Sequence, residues 1–259
     1  MKLIILIFAI LVMFISCSTS SNSILVNENY QWQQNTKKDL IIFPIQYDSL
    51  SILNWDDVVD DFEVDSANYK SFIYDTLSKS VLINSKSCTR YINIVDGKKL
   101  FDWDSIRNDK KNYLQINQKI DKNYIATFYI PKKELLTEDH LNSYALIIKR
   151  ITIARNVERL PGTMTYSPGQ IVNTPGGSFQ TPGHWSSGWT PENLGAKIEF
   201  IIWDYEKDEF VKCGIVISKE DLLGGMTTSS WLDLFKTIPL DLYDETPFGI
   251  SPVNYYYKK

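Results

Sequence analysis

Three groups of residues in this 259-residue chain have the types and spacing that chemistry uses. The first is Cys88, which can act as a nucleophile if His140 or His184 serves as base and a carboxamide or carboxylate orients the imidazole. Such a thiol is normally activated at a helix N-terminus, whereas the run after Cys88, CTRYINIVDG, reads as a strand. A buried structural thiol and a disulfide between Cys88 and Cys213 are the competing readings. The second group is NWDDVVDDFEVDS, in which Asp56, Asp57, Asp60, Asp61, Glu63 and Asp65 bring six carboxylates together. It lacks the glycine and the terminal glutamate of a calcium loop, so it reads as a solvated stretch ahead of a helix. The two histidines stand 44 residues apart, which offers no zinc pair at helix or strand spacing. The patterns HExxH, GxSxG and GxxxxGK[ST] are absent, which argues against the common hydrolases and nucleotide sites. No metal and no cofactor is expected.

The third group lies in LPGTMTYSPGQIVNTPGGSFQTPGHWSSGWTP, residues 160–191, which carry no charged residue. Pro-Gly pairs begin at Pro161, Pro168, Pro175 and Pro182, one every seven residues. Proline fixes φ near −65° and glycine accepts positive φ, so each pair suits the centre of a type II turn. Four turns with five-residue stretches between them predict a small meander inserted between two strands. Tyr166, His184, Trp185 and Trp189, with Gln170, Asn173 and Gln180 nearby, can form an aromatic and amide surface for a protein or glycan partner. The alternative is an excursion folded back onto its own sheet edge.

The elements that must position these groups begin after a distinctive N-terminus. Lys2 precedes thirteen apolar residues, 3–15, and then Ser16 and Cys17, which is the pattern of a secretory signal. A spanning helix needs about 18 apolar residues, so this run is too short to be a permanent anchor. Phe14-Ile15-Ser16-Cys17 resembles the lipobox of bacterial lipoproteins. That resemblance implies a signal peptide over residues 1–16, a lipid on Cys17, and the membrane as a partner through that lipid. Ser18 after the cysteine implies an outer-membrane address facing the periplasm. Losing Lys2 with the signal changes the net charge from −4 to −5, so nothing draws nucleic acid electrostatically.

Residues 17–36 are polar and read as a tether, and residues 37–259 as one α/β domain. DLIIFP is a buried strand ended by Pro44, and a helix follows in which Ser66 can cap and Tyr69, Phe72, Ile73, Leu77 and Val81 share a face. Residues 92–97 predict a strand and a turn. Residues 100–142 predict a helix, a short strand over 124–130 and a short helix over 132–141. SYALIIKRITIAR is a strand. Residues 196–218 predict a hairpin that sets Ile198, Phe200 and Ile202 with Val211, Cys213, Ile215 and Ile217 on one buried face. Trp231, Leu234, Phe235 and Ile238 mark a helix interrupted by Pro239, and residues 244–259 an extended tail.

That order predicts a single sandwich, a mixed β-sheet with helices packed on it and a long Pro/Gly-rich insertion. The strand-helix-strand opening, the strand YALIIKRITIAR, the hairpin around WDYEKDEFV and the closing helix resemble a family. It is the anticodon-binding-domain-like fold of envelope lipoproteins related to CsgG and to the amino-terminal domain of TolB. The resemblance implies a non-catalytic component of an envelope assembly. The expectation is therefore a lipid-anchored cell-envelope protein that binds or assembles with a partner. The alternatives are a glycan- or peptidoglycan-binding lipoprotein and, more remotely, a cysteine hydrolase.

Overall fold

The computed structural model describes residues 22–31, 38–53, 68–100, 109–157, 165–167, 171–174, 177–180, 184–186, 192–222 and 228–250. In chain order the strands are β1 (Ser23–Val26), β2 (Lys38–Ile42), β3 (Leu50–Leu53), β4 (Ile92–Asp96), β5 (Tyr113–Lys119), β6 (Ile125–Pro131) and β7 (Tyr144–Val157). They continue with β8 (Thr165–Ser167), β9 (Ile171–Thr174), β10 (Gly177–Gln180), β11 (His184–Ser186), β12 (Glu192–Asp204) and β13 (Glu209–Leu222). The α-helices of the described residues are α1 (Tyr69–Cys88) and α2 (Thr228–Tyr243).

Seven strands form one mixed sheet in the order β1-β13-β12-β7-β2-β4, with β3 also pairing β7. β2 runs parallel to β4 and β7, whereas β12 is antiparallel to both β7 and β13. The central strands β2, β7, β12 and β13 bury residues on both faces, because side chains alternate and each face has its own cover, whereas β1, β3 and β4 are only partly buried. On one face Ile73, Leu77 and Val81 of α1 and Trp231, Leu234, Phe235 and Ile238 of α2 pack against Leu40, Leu146, Ile198 and Phe200. On the other, the β5/β6 hairpin brings Ala126, Phe128 and Ile130 onto Ile41, Ala145, Ile201 and Trp203. The expected α/β sandwich is therefore the observed one, with a hairpin as its third layer.

Two bulges set which residues enter which core. In the β7/β12 ladder Arg150 faces Glu199 and Ile148 faces Phe200, so Lys149 is the extra residue. One added residue reverses the alternation, which is why Leu146 and Ile148 before it and Ile151 and Ile153 after it all reach the helix face. In the β12/β13 ladder Ile202 faces Lys212 and Trp203 faces Phe210, leaving Val211 as the extra residue. The expected single set of Val211, Cys213, Ile215 and Ile217 is corrected by this register. Val211 and Val216 join the helix-side core, Cys213 faces the hairpin, and Ile215 and Ile217 are only half buried.

Other expectations change as well. The expected strand over 124–130 is present as β6, but its partner β5 stands where a helix was expected, because the hairpin's period-two set Ala126, Phe128 and Ile130 covers a sheet face that a helix stripe would not match. Residues 132–141 contain only single 3-10 turns. Helix α2 runs through Pro239 to Tyr243. The tether is shorter than expected: β1 lies inside it and pairs with β13, Ser23 facing Ile215 and Val26 facing Lys212. In the expected tail, Phe248 is buried in the helix-side core and Gly249 bridges to Thr89, while residues 251–259 lie outside the described residues. The expected Ser66 cap and the acidic run of residues 56–65 also lie outside them.

Candidate functional site

The Pro-Gly segment grows out of one of the two longest ladders in the sheet. β7 and β12 pair to their ends, Val157 facing Glu192, and the segment between them forms two further antiparallel ladders. β8 pairs with β11, and β9 pairs with β10 inside them. The pairing is nested, outermost strand with outermost strand, in place of the expected meander in which each strand would pair with its neighbour in sequence. Tyr166 faces Trp185, Ser167 faces His184, and Val172 faces Phe179. Three of the four expected binding residues, Tyr166, His184 and Trp185, therefore meet in one three-pair ladder. Trp189, the Pro-Gly pairs and Cys17 lie outside the described residues.

The cysteines are placed against the catalytic and disulfide readings. Cys88 is the last residue of α1, not the start of a strand, and it is fully buried in the helix-side core. Burial pushes its thiol up to about 11, the reverse of an activated nucleophile. His140 reaches Asp39, with Nδ1 3.2 Å from Oδ2. Cys213 belongs to the hairpin-side core, and its thiol is raised to about 12 by burial. Both cysteines are free and buried, so of the two competing readings the structural thiol is the observed one and the bridge between Cys88 and Cys213 is not formed. The register of β13 explains this, since it turns Cys213 to the face opposite Cys88.

Sequence reasoning missed a cleft at a break in the sheet. β2 stops at Ile42 and Pro44, which has no N–H to continue a ladder, follows it. Phe43 still donates its N–H to the Leu146 carbonyl at 3.0 Å, and pairing resumes only where Leu50 faces Ile151. Over residues 147–150 β7 has no strand partner on that side, and the bulged Lys149 falls within this stretch. A cavity of about 300 Å³ opens there, between the break and the β5/β6 hairpin, walled by Phe43, Pro44, Tyr113 and Tyr129. Lys149 Nζ lies 2.6 Å from Oε1 of Glu199, a buried carboxylate that also accepts from the Tyr124 hydroxyl at 2.5 Å. Desolvation, then that bond to Glu199, pushes the Tyr124 hydroxyl up to about 12. Two sequence signals point here: the proline directly after an apolar strand, and the phase change at Lys149 in YALIIKRITIAR.

A second polar cluster clamps the N-terminal segment. Asp204, at the end of β12, is 0% exposed and accepts from Lys38 Nζ at 3.1 and 3.3 Å and from the Tyr30 hydroxyl at 2.6 Å. The Tyr144 hydroxyl, 2.8 Å from that of Tyr30, is left to donate to it. Lys38 also pairs with Glu206, and its ammonium lies 4.9 Å above the Tyr144 ring. Burial alone would lower the Lys38 pKa, but Glu206, Tyr144 and Asp204 outweigh it and the pKa is raised. Burial, and next the bond to Asp204, hold the Tyr30 hydroxyl far above the usual tyrosine range. Among the described residues no group of three or more His, Cys, Asp or Glu side chains has the arrangement of a metal site.

No protein-family model matches the chain, and no curated protein matches it. Among solved structures, a dodecamer of a PelC point variant from Paraburkholderia phytofirmans is 8% identical to it over 85% of this chain and 99% of that chain. The TM-score of that match is 0.24, a likeness too slight to carry any inference about what this chain does.

Proposed function

We propose that the chain is a non-enzymatic, lipid-anchored cell-envelope protein that binds or assembles with an envelope partner through the arm between β7 and β12. The observation that carries this reading is the β8/β11 ladder, which brings Tyr166, His184 and Trp185 together within residues 160–191, a stretch without a charged residue. An uncharged, aromatic two-stranded ribbon is marginal alone in water and gains most when another surface covers it. The lipobox-like Cys17 supports attachment to a membrane, with the outer membrane facing the periplasm as the proposed address. Buried, unactivated thiols support a role without covalent catalysis.

Replacing Trp185 and Trp189 together by alanine is the test. The variant keeps the circular dichroism and melting profile of the parent but no longer cross-links to, or co-purifies with, its envelope partner. Unchanged cross-linking in a folded double variant would overturn the reading. Cys17→Ala is expected to move the protein from the membrane to the soluble fraction, which checks the anchor separately.

A further inference from the structure

The break between β2 and β3 combines three properties that packing alone does not require. First, the exposed edge of β7 is left open over four residues, and the bulge within it aims Lys149 at Glu199. Second, the cavity wall is aromatic: Tyr113 and Tyr129 meet edge to face with centroids 6.5 Å apart, and Tyr129 is 48% exposed. Third, the charges of its described lining are of one sign. Lys110 and Lys149 contribute ammonium groups, and no carboxylate among the described residues lines it.

These properties select a ligand class. The charge of Lys149 is already matched by Glu199, whereas Lys110 has no ion pair among the described residues, so the cleft offers one uncompensated positive charge. One charge suits a monoanion, such as a carboxylate, better than a phosphate. A half-exposed tyrosine ring beside Phe43 and Pro44 suits the C–H face of a sugar ring. The Gln46 amide and the Ser49 hydroxyl, also in the lining, supply donors and acceptors of the kind that hydroxyl groups need. The volume of about 300 Å³ leaves room for one sugar residue.

The geometry points to a binding site for a carboxylated pyranose, a uronic acid residue of an acidic glycan, in the cleft between the β2–β3 connection, β7 and the β5/β6 hairpin. Lys110 takes the carboxylate, Tyr129 stacks on the ring, and Gln46 and Ser49 read its hydroxyls. The site is independent of the arm proposed above to hold the envelope partner.

Calorimetric titration of the full chain tests it with glucuronate, galacturonate and their short oligomers, against glucose, galactose and benzoate. Saturable binding of the uronates is expected, with the neutral sugars weaker by about tenfold, the size of one charge-assisted hydrogen bond. If oligomers bind more tightly than monomers, the source is a polymer; equal binding indicates free sugar acids, and either supports the site. Tyr129→Ala, a change at a half-exposed position, should weaken binding by about fivefold, and Lys110→Gln by about tenfold, while Lys110→Arg retains it. The Trp185→Ala, Trp189→Ala double variant should bind the uronates unchanged, which separates this site from the arm. Equal affinity for neutral and acidic sugars would overturn the proposal. So would tighter binding of benzoate than of any uronate, or no saturable uronate binding at high millimolar concentration.

Discussion

Two buried lysines sit on strands of the same sheet and are handled in opposite ways. Lys38 faces the carboxylates of Asp204 and Glu206 and keeps its charge, its pKa raised. Lys212, 0% exposed, donates instead to the backbone carbonyls of Asp241 at 3.1 Å and Asp244 at 2.6 Å, at the C-terminal end of α2. Burial lowers its pKa to about 8, and the more distant charges of Asp244, Glu245 and Asp241 only partly oppose that. Carbonyl dipoles satisfy the hydrogens of an ammonium but do not cancel its charge as carboxylates do. Lys38 is thus a clamp for the N-terminal segment, and Lys212 a cap for a helix.

The comparison can be broken most severely at Asp204. Asp204→Ala leaves Lys38 with only the half-exposed Glu206 as carboxylate partner and Tyr30 with only the Tyr144 hydroxyl, and a loss of about 4 kcal/mol is expected from urea denaturation. Lys212 gives the next largest effect, and it depends on pH. The folded-state pKa near 8 lies below the ordinary lysine value, so from pH 8 to about 10.5 the unfolded chain holds the more protons and stability rises with pH. Measured as parent minus Lys212→Met, which removes the contribution of other groups, the gain across that window should approach about 3 kcal/mol. A flat difference would mean that Lys212 is not desolvated as described.

Gly214→Ala reaches both lysines through β1. Gly214 has φ +144, and an added Cβ would lie 2.2 Å from the Ser23 carbonyl oxygen, so β1 must lift off β13. A loss of about 2 kcal/mol and new proteolysis before residue 30 are expected. The Tyr30 to Asp204 contact should loosen, and the Lys212 pH window should narrow, since Val26 of β1 is the ladder partner of Lys212. Tyr30→Phe is the mildest test. It deletes one hydroxyl from the Lys38 cluster and should cost about 1 kcal/mol without touching α2.

The parts of the fold that could be read from sequence are those where one period dominates. Ile73, Leu77 and Val81 on α1, and Trp231, Leu234, Phe235 and Ile238 on α2, face the core as their spacing predicts, whereas Phe72, expected on the same α1 face, is exposed. β2, β4, β6, β7, β12 and β13 were legible as strands, whereas β1, β3 and β5 were not, and the facing of β7 and β13 was not legible either. An extra residue at Lys149 or Val211 leaves composition unchanged and reverses every later side chain, and only the partner strand reveals it. The same limit hid the clamp, since Tyr30, Lys38, Tyr144 and Asp204 come from four distant segments. The arm was legible as an uncharged, aromatic insertion. Its nesting was not, because repeated Pro-Gly pairs fit a meander and a nested ribbon equally well. The cleft was the hardest to see, being made by an interruption in pairing rather than by any motif.

The strand β1 shortens a leash. A free tether from Cys17 to residue 36 would let the domain range over about 70 Å at full extension. With Ser23 already locked to Ile215, only six residue steps separate the proposed lipid from the sheet, about 20 Å. Under the lipid-anchor reading the protein rides close to the bilayer, with its β1 edge as the near side, and a partner must approach within that narrow layer.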